Sequence, residues 1–182
     1  MAPRRSAAFA AVASMLSALT AVLTYFPGLA LPSPTGGYTH IGDTVIYLAA
    51  LLFGPAMGAT VGLVGPVIAD LLIGYPRWYV TLVAHGLQGY VAGLGKGKRF
   101  PVQLAVMLVG GLIMSFTYFA VNVFVKGLAP ALFSLARDIF GQTAVSVALA
   151  AILLKPLEKS PPVRAAQALL ATGGQSSSAG RA

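Results

Sequence analysis

Six stretches of the chain carry almost no charged side chains and are separated by short segments rich in proline, glycine or basic residues. They cover residues 7–26, 41–53, 56–74, 80–94, 102–125 and 131–154. An apolar run of about 20 residues has the length that an α-helix needs to cross a bilayer. The pattern therefore predicts an all-α, polytopic membrane protein with six transmembrane helices.

The segments between these runs predict the organisation of the chain. Gly54-Pro55 predicts a tight turn between the second and third helices, and Pro130 predicts another before the sixth. The second helix is short for a full span, so we expect it to begin below the membrane surface. Residues 27–39 form an uncharged loop long enough to act as a flap. Residues 1–155 then make up the membrane domain, and residues 156–182 form a polar, Ser/Gly-rich tail that we expect to be disordered.

The first apolar run follows Arg4 and Arg5, so a secretory signal peptide cleaved near Ala30 is an alternative to a retained helix. Signal-peptide cores have about 7–15 apolar residues, and this longer run favours retention. Three small residues that share one helix face are Ala7, Ala11 and Ser14. Such a stripe suits close helix packing, although an alanine-rich helix also shows such stripes by chance.

Composition supports a membrane protein. The 182 residues are 57% hydrophobic and 9% charged, whereas soluble domains average about 25% charged residues. The absence of cysteine excludes disulfides and thiolate metal sites, and two histidines leave little for a zinc site. We expect no metal and no cofactor.

The net charge of +8 is explained by topology. Six spans put both termini on one side, together with the loop after the fourth helix. The basic residues on that side are Arg4, Arg5, Lys96, Lys98, Arg99, Lys155, Lys159, Arg164 and Arg181. The opposite side holds Arg77 and Lys126, with Arg137 near the start of the sixth helix. Basic residues concentrate on the cytoplasmic side, so both termini are predicted to be cytoplasmic, and the charge does not require a nucleic-acid partner.

Polar side chains from at least five helices gather in the outer half of this predicted bundle, whereas the inner halves are almost entirely apolar. Ten of them are candidate substrate-binding residues: Asp43, Tyr47, Asp70, Trp78, Tyr79, His85, Gln88, Asn122, Arg137 and Gln142. Charged groups inside a membrane are costly and usually functional. Their shared depth indicates a solute pocket that opens to the outside.

Several of these residues have a structural alternative. Asp43 follows Gly42 and is equally well placed to cap a helix N-terminus. Asp70 is at least as well suited to pair with a cation or hold a loop. Trp78 and Tyr79 are also typical of interfacial aromatic belts. Asn122 is as plausible as an interhelical hydrogen-bonding residue.

Arg137 and Asp138 are adjacent, so their side chains should face different directions on a helix.

An enzyme is the alternative to a solute-binding protein. Intramembrane proteolysis would need a pair such as Ser115 with His85, or two acids that meet, such as Asp43 with Asp70. No known catalytic signature surrounds either pair, so we expect a protein that is not an enzyme.

Two segments carry a family resemblance. The sequence HIGDTVIYLAALLFGPAMGATVGLVGPVIADLLIGYPRW, followed by TLVAHGLQGYVAG, resembles the substrate-binding S components of energy-coupling factor (ECF) transporters. The similar subgroup includes riboflavin, pyridoxine and hydroxymethylpyrimidine carriers. His85 departs from the family pattern, because related sequences often carry lysine before this Gly-Leu pair, and that replaces a cation by a titratable ring.

The resemblance implies a multi-pass protein of a prokaryotic cell membrane that captures a vitamin or vitamin precursor at the outer face. It implies that the loop at residues 27–39 covers the ligand, and that Ala7, Ala11 and Ser14 dock a transmembrane coupling protein. Two ATPase subunits would supply the energy, since the chain contains no Walker motif. The alternative is an integral-membrane structural or assembly subunit without a ligand of its own.

Overall fold

The computed structural model describes residues 3–26, 30–32 and 38–171. Its helices are α1 Pro3–Tyr25, α2 Asp43–Phe53, α3 Pro55–Ile73, α4 Trp78–Gly93, α5 Phe100–Lys126, α6 Leu128–Lys159 and α7 Pro161–Ala171. Between α1 and α2, strand β1 (Ala30–Pro32) pairs antiparallel with β2 (Tyr38–His40), so that Ala30 lies opposite His40. Most of the predicted flap, residues 27–29 and 33–37, lies outside the described residues.

Among the described residues, α1, α3, α5 and α6 are long and apolar enough to cross a membrane. Helix α2 is equally apolar but has only 11 residues. The prediction of a helical, multi-span protein is therefore confirmed for these four helices by their length and composition.

The predicted turn between α2 and α3 is present at Gly54. This residue ends α2 and precedes α3 with φ +103°, a conformation that L side chains rarely adopt. Pro55 then begins α3, where its missing N–H removes no helical hydrogen bond. The two residues together reverse the chain.

The sixth helix extends beyond both of its predicted ends. It begins at Leu128, so Pro130 lies in its first turn, where proline is tolerated, rather than in the predicted turn. Its middle, Asp138–Thr143, is a π-helical segment. At the other end the helix continues through Pro156 to Lys159.

Residues 156–159 and 161–171 are helical in the described part of the tail, where composition predicts disorder. Helix α7 packs back on the bundle: the Gln167 side chain donates to the Leu52 carbonyl oxygen at 2.8 Å, and Leu170 packs on the cluster that contains Ala13 and Met57. A hydrogen bond and partly buried apolar contacts therefore hold this helix against the bundle, although its composition is typical of disorder. Residues 172–182 lie outside the described residues.

Helices α3 and α4 approach so closely that their backbones touch. A methyl group added at Gly58 would collide with the Gly89 carbonyl oxygen, and one added at Gly62 would collide with the His85 carbonyl oxygen. Glycines spaced four apart thus form the α3 side of this interface, as in other membrane helix pairs. The close approach holds His85 at a fixed distance from α3.

Helix α1 packs on α3 through a face that includes Ser17 and Thr20, both next to Gly65. The predicted small-residue stripe is on another face, since Ala7, Ala11 and Ser14 are all exposed. These three residues are not used for packing within the described chain.

The bundle has one polar and one apolar end. The polar end is formed by the starts of α2 and α4, the ends of α3 and α5, and the first half of α6. At the opposite end, Leu51, Met107 and Leu154 belong to a buried hydrophobic cluster. Polar side chains that could bind a polar solute therefore gather at one end, whereas the cavity beside Val12, Leu52 and Val163 toward the other end is lined by apolar side chains.

We expect Gly62→Ala to lower the thermal unfolding temperature of the ligand-free protein in detergent. The added methyl group has to push α4 away from α3, and overpacking of this kind typically costs about 1–3 kcal/mol. Gly141→Ala is the matched control, because an added methyl group there makes only ordinary contacts with Thr39 and Arg137. Equal unfolding temperatures for the two variants would contradict the close helix contact.

Candidate functional site

The Asp43 carboxylate connects three helices at the polar end. Asp43 is the first residue of α2 and is fully buried. Its Oδ2 accepts hydrogen bonds from the side-chain amides of Gln88 on α4 and Gln142 on α6, both at 3.0 Å. Its Oδ1 lies 3.2 Å from His85 Nδ1. Asp43 lies in the first turn of α2, where an acid also suits the positive end of the helix dipole, so the capping alternative stays open beside these interhelical bonds.

Two histidines flank this carboxylate. His85 Nδ1 lies 2.8 Å from Gln88 Oε1, and His40 Nδ1 accepts the Gly42 N–H at 3.2 Å. Ligand atoms of His40, Asp43 and His85 fall within 4.8 Å of one another, so these three are the residues that could hold a metal ion. Each of the two Nδ1 atoms already has a hydrogen-bond partner in the protein, so the geometry does not require a metal.

Asp70, near the end of α3, holds the hairpin against the bundle. The Tyr38 hydroxyl on β2 donates to Asp70 Oδ1. The Thr81 hydroxyl on α4 is close to the same carboxylate and shares a 2.6 Å hydrogen bond with the Tyr118 hydroxyl on α5. One of the roles considered for Asp70, that of holding a loop, is therefore present in the structure.

Arg137 and Asp138 pair with each other, which corrects the expectation that they face different directions. Arg137 Nε and Nη2 donate to Asp138 Oδ1 at 3.0 and 2.7 Å. The long arginine side chain can fold back on its neighbour where α6 changes to the wider π-helical winding. Local hydropathy does not reveal such a winding change.

These groups surround one polar cavity with an open mouth, in which about 30 Å³ is free for water-sized groups. The residues that line it are Tyr38, His40, Asp70, Tyr75, Thr81, His85, Met114, Tyr118, Asn122, Lys126, Arg137, Asp138 and Gln142. They come from the hairpin, the α3–α4 turn and helices α3 to α6. The structure thus brings together polar residues that are up to about 100 positions apart in the sequence, as the 99-residue separation of Asp43 and Gln142 shows.

The predicted candidates fall into three groups. Those that line the cavity are Asp70, His85, Asn122, Arg137 and Gln142. Asp43, Gln88 and Tyr47 are buried behind it, the first two bonded to cavity residues and Tyr47 in the hydrophobic cluster. Trp78 and Tyr79 lie outside the lining, 42% and 54% exposed, and contact each other edge to face.

Sequence reasoning missed the aromatic residues that the loops contribute. Tyr38 lies near the end of the predicted flap, His40 directly follows the flap, and Tyr75 lies in the α3–α4 turn. With Tyr118 and His85 they form a run of ring contacts, in which neighbouring centroids are 5.5–6.0 Å apart. Their position in the sequence, next to the polar ends of the helices, is the signal that could have identified these aromatic residues as part of the cavity.

Burial determines the protonation states of the His40 imidazole and the Tyr38 hydroxyl on the hairpin. Desolvation lowers the pKa of His40 from 6.5 to about 4, and the nearby Asp43 carboxylate only partly opposes this. His40 is therefore neutral at physiological pH. Desolvation, and then the Asp70 carboxylate, raise the pKa of the Tyr38 hydroxyl, which stays protonated and able to donate.

Neither of the considered catalytic pairs is assembled. Ser115 donates to the Gly111 carbonyl oxygen at 2.9 Å and lies 3.4 Å from the Thr143 hydroxyl. His85 is instead bonded within the Asp43 network, and Asp70 is bonded to Tyr38. Each of these polar groups is therefore bonded within the protein, and the two pairs do not meet.

We expect acid to destabilise the protein partly through His40. Unfolded His40 takes up a proton below about pH 6.5, whereas the folded residue does so only below about pH 4. The unfolded state therefore binds more protons between these values, which lowers the free energy of unfolding by about 2 kcal/mol at pH 5. His40→Gln should reduce the fall in unfolding temperature between pH 7.5 and pH 5. An equal fall in the unfolding temperature of wild type and His40→Gln between these pH values would contradict this role of His40.

Comparisons with known proteins agree with a transport site. A family model described as "ECF-type riboflavin transporter, S component" matches residues 6–159. The chain is 33% identical to the thiamine precursor transporter HmpT of Lactococcus lactis subsp. cremoris over 147 residues, which are 79% of this chain and 84% of that protein.

Two other relatives carry no functional name. The chain is 37% identical to an uncharacterised protein of Pyrococcus woesei over 113 residues, which are 60% of this chain and 76% of that protein. It is 47% identical to a UPF0397 protein of Streptococcus pneumoniae over 47 residues, 26% of each chain. The family match covers most of the chain, and the protein therefore belongs to the ECF-type riboflavin transporter S component family, a family of membrane transport subunits rather than enzymes.

Proposed function

We propose that the protein captures a vitamin or vitamin precursor with a flat heteroaromatic ring at the outer face of a prokaryotic cell membrane. The observation that carries this proposal is the polar, aromatic-lined cavity at one end of an otherwise apolar bundle. A buried site with aromatic walls and a few fixed polar groups is typical of small-molecule recognition. The relative in Lactococcus lactis is named as a thiamine precursor transporter, which supports this class of substrate.

The proposed topology has six spans, with both termini in the cytoplasm and the cavity on the outside. The distribution of basic residues supports this orientation, since Lys96, Lys98 and Arg99 follow α4 at the apolar end of the bundle. Helix α2 rises about 16 Å over its 11 residues, about half of a 30 Å hydrocarbon core. Asp43 therefore lies well below the outer surface and forms the base of the site.

The β1–β2 hairpin is the proposed cover. It reaches the cavity from the α1–α2 connection, and the Tyr38–Asp70 hydrogen bond ties it to α3. A ligand enters when this contact opens and is then enclosed between the hairpin and α3 to α6. Enclosure strengthens each polar contact, because water is excluded from the site.

The proposed partners are a transmembrane coupling protein and two ATPase subunits, which deliver the ligand inward. The exposed stripe of Ala7, Ala11 and Ser14 on α1 supports a docking role, because the described chain does not cover it. Small residues let a second helix approach closely. The docking role of these three residues is the one that the family resemblance implies for their positions on the first helix.

The first experiment is mass spectrometry of small molecules released from the detergent-purified, denatured protein. We expect a vitamin-like heterocycle in near-stoichiometric amount from wild type. Asn122→Leu should lower the retained amount at least about tenfold, because it replaces a buried polar group of the cavity by an apolar side chain of similar size. Trp78→Leu, outside the lining, is the control and should retain the ligand.

An empty wild-type protein that also shows no thermal stabilisation by any vitamin would contradict the proposal. It would favour a structural subunit, in which the polar groups serve only to bond helices together. Equal ligand retention in Asn122→Leu and wild type would place the site elsewhere.

For the docking surface, we expect Ala11→Trp to abolish co-purification with the coupling protein and ATPases while ligand retention is unchanged. The bulky ring keeps a second helix from approaching the stripe. Ala120→Trp, on an exposed face of α5, is the matched control and should leave assembly intact. Normal assembly of Ala11→Trp would exclude this face as the interface.

A further inference from the structure

A second cavity lies toward the apolar end of the bundle, between α1, α2, the end of α6 and α7. About 230 Å³ of it is free for water-sized groups, compared with about 30 Å³ in the polar cavity. Its lining is entirely apolar and includes Val12 on α1, Leu48 on α2, Leu157 on α6 and Val163 on α7. Apolar cavities stay dry and take up hydrocarbon molecules. The lining therefore favours a hydrocarbon occupant.

This cavity is a narrow cleft that opens to the side of the bundle. Its floor on α2 extends from Val45 to Leu52, about 10 Å along the helix axis. The α2 side chains of the floor are only 1–8% exposed, whereas Met15 and Leu19 at the α1 rim are 66% and 47% exposed. A helix with its side chains is about 10–12 Å across, which is too wide to reach such a covered floor. A single acyl chain is narrow enough.

Helix α7 lies across the cleft without filling it. Gln167 donates to the Leu52 carbonyl oxygen, and Leu170 packs on the cluster that contains Ala13. No residue of α7 is buried, although the whole helix is among the described residues. Side chains that face an empty space lose the dispersion contacts that a neighbouring atom would give them. An occupant of the cleft would restore these contacts and stabilise α7 on the bundle.

Two basic side chains accompany the cleft. Arg5 precedes Val12 by seven residues on α1, so the two share one helix face about 10 Å apart. Arg164 is exposed in the first turn of α7, and its Nε donates to the Glu158 carbonyl oxygen at 3.3 Å. The Glu158 carboxylate pairs with Lys155 instead. Neither arginine has an ion pair among the described residues, so both are available to an anionic group.

We propose that the cleft binds an acyl chain of an anionic phospholipid, whose headgroup phosphate lies beside Arg5 and Arg164. Basic pockets between membrane helices on the cytoplasmic side bind anionic lipid headgroups in this way. The chain fills the space under α7 and packs on the α2 floor. The lipid comes from the inner leaflet in the proposed orientation, and its site is separate from the polar cavity and from any solute bound there.

The test uses the full-length protein, delipidated in detergent, and three probes. These are phosphatidylglycerol, phosphatidylcholine with the same two oleoyl chains, and glycerol phosphate, which has the charge without the chains. Native mass spectrometry gives the Kd of the first molecule bound. Wild type should bind phosphatidylglycerol about 10- to 30-fold more tightly than phosphatidylcholine, because each basic residue near a headgroup contributes about fivefold. Glycerol phosphate should not be retained.

The first variant fills the cleft. Val12→Trp places a large ring between α1 and α2, so it should weaken phosphatidylglycerol binding about tenfold. Val109→Trp is the matched control, because Val109 is 48% exposed on α5 and lies outside the lining. It should bind both lipids as wild type does. The unfolding temperatures of the lipid-free variants show whether each one is folded.

The second variant removes the two charges and leaves the apolar lining intact, so it tests the proposal even if Val12→Trp does not fold. Arg5→Gln combined with Arg164→Gln should bind the two phospholipids with nearly equal Kd. The affinity for phosphatidylcholine should stay unchanged. Arg99→Gln, at an exposed position in the α4–α5 loop, should keep the preference for phosphatidylglycerol.

Two results would overturn the inference. Equal affinities of wild type for the two phospholipids would exclude an anionic lipid. Unchanged phosphatidylglycerol binding by a folded Val12→Trp protein would place the lipid elsewhere on the surface. If that variant also lost co-purification with the coupling protein and ATPases, the cleft would belong to the protein interface instead.

Discussion

The buried carboxylate of Asp43 is the interaction on which the polar end of the bundle depends. A charge in a low-dielectric interior is tolerated only when its oxygens are bonded. Gln88 and Gln142 supply those bonds from two other helices, and His85 lies at hydrogen-bonding distance from the second oxygen. The need to satisfy one carboxylate therefore fixes α2, α4 and α6 relative to one another. All four side chains are buried, so the cavity above them has a well-packed base.

The glycine contacts between α3 and α4 set the width of the same site. Because Gly58 and Gly62 allow the two backbones to touch, His85 on α4 comes close to the end of α3 that carries Asp70. On the other side, the π-helical segment of α6 carries both Asp138 and Gln142 toward the cavity. Short or irregular helices are costly in a membrane unless the protein itself satisfies their backbone. Here they occur where the helices surround a polar space.

The β1–β2 hairpin, the proposed cover, is hydrogen-bonded to a residue that lines the cavity. Tyr38 is both a wall of the cavity and a hydrogen-bond donor to Asp70. In the proposed function, a ligand group that approaches Asp70 would meet the hydrogen bond that holds the hairpin in place. Ligand binding and closure would then depend on the same carboxylate. The exposed Ala7, Ala11 and Ser14 on α1, the proposed docking face, are not among the residues that line the cavity.

The sequence by itself determined the membrane class, the positions of the first six helices, the Gly54-Pro55 turn and the common end at which Asp43, Asp70, His85 and Arg137 lie. These features follow from hydropathy, proline and glycine, and chain direction, which are local properties. Only the tertiary structure decided that Tyr38, His40 and Tyr75 line the cavity, that Trp78 and Tyr79 do not, and that Arg137 bonds to its neighbour Asp138. It also ordered α7, whose composition suggested disorder. The rotation of each helix about its axis and the docking of a hairpin depend on contacts between residues far apart in the chain, and local sequence does not encode them.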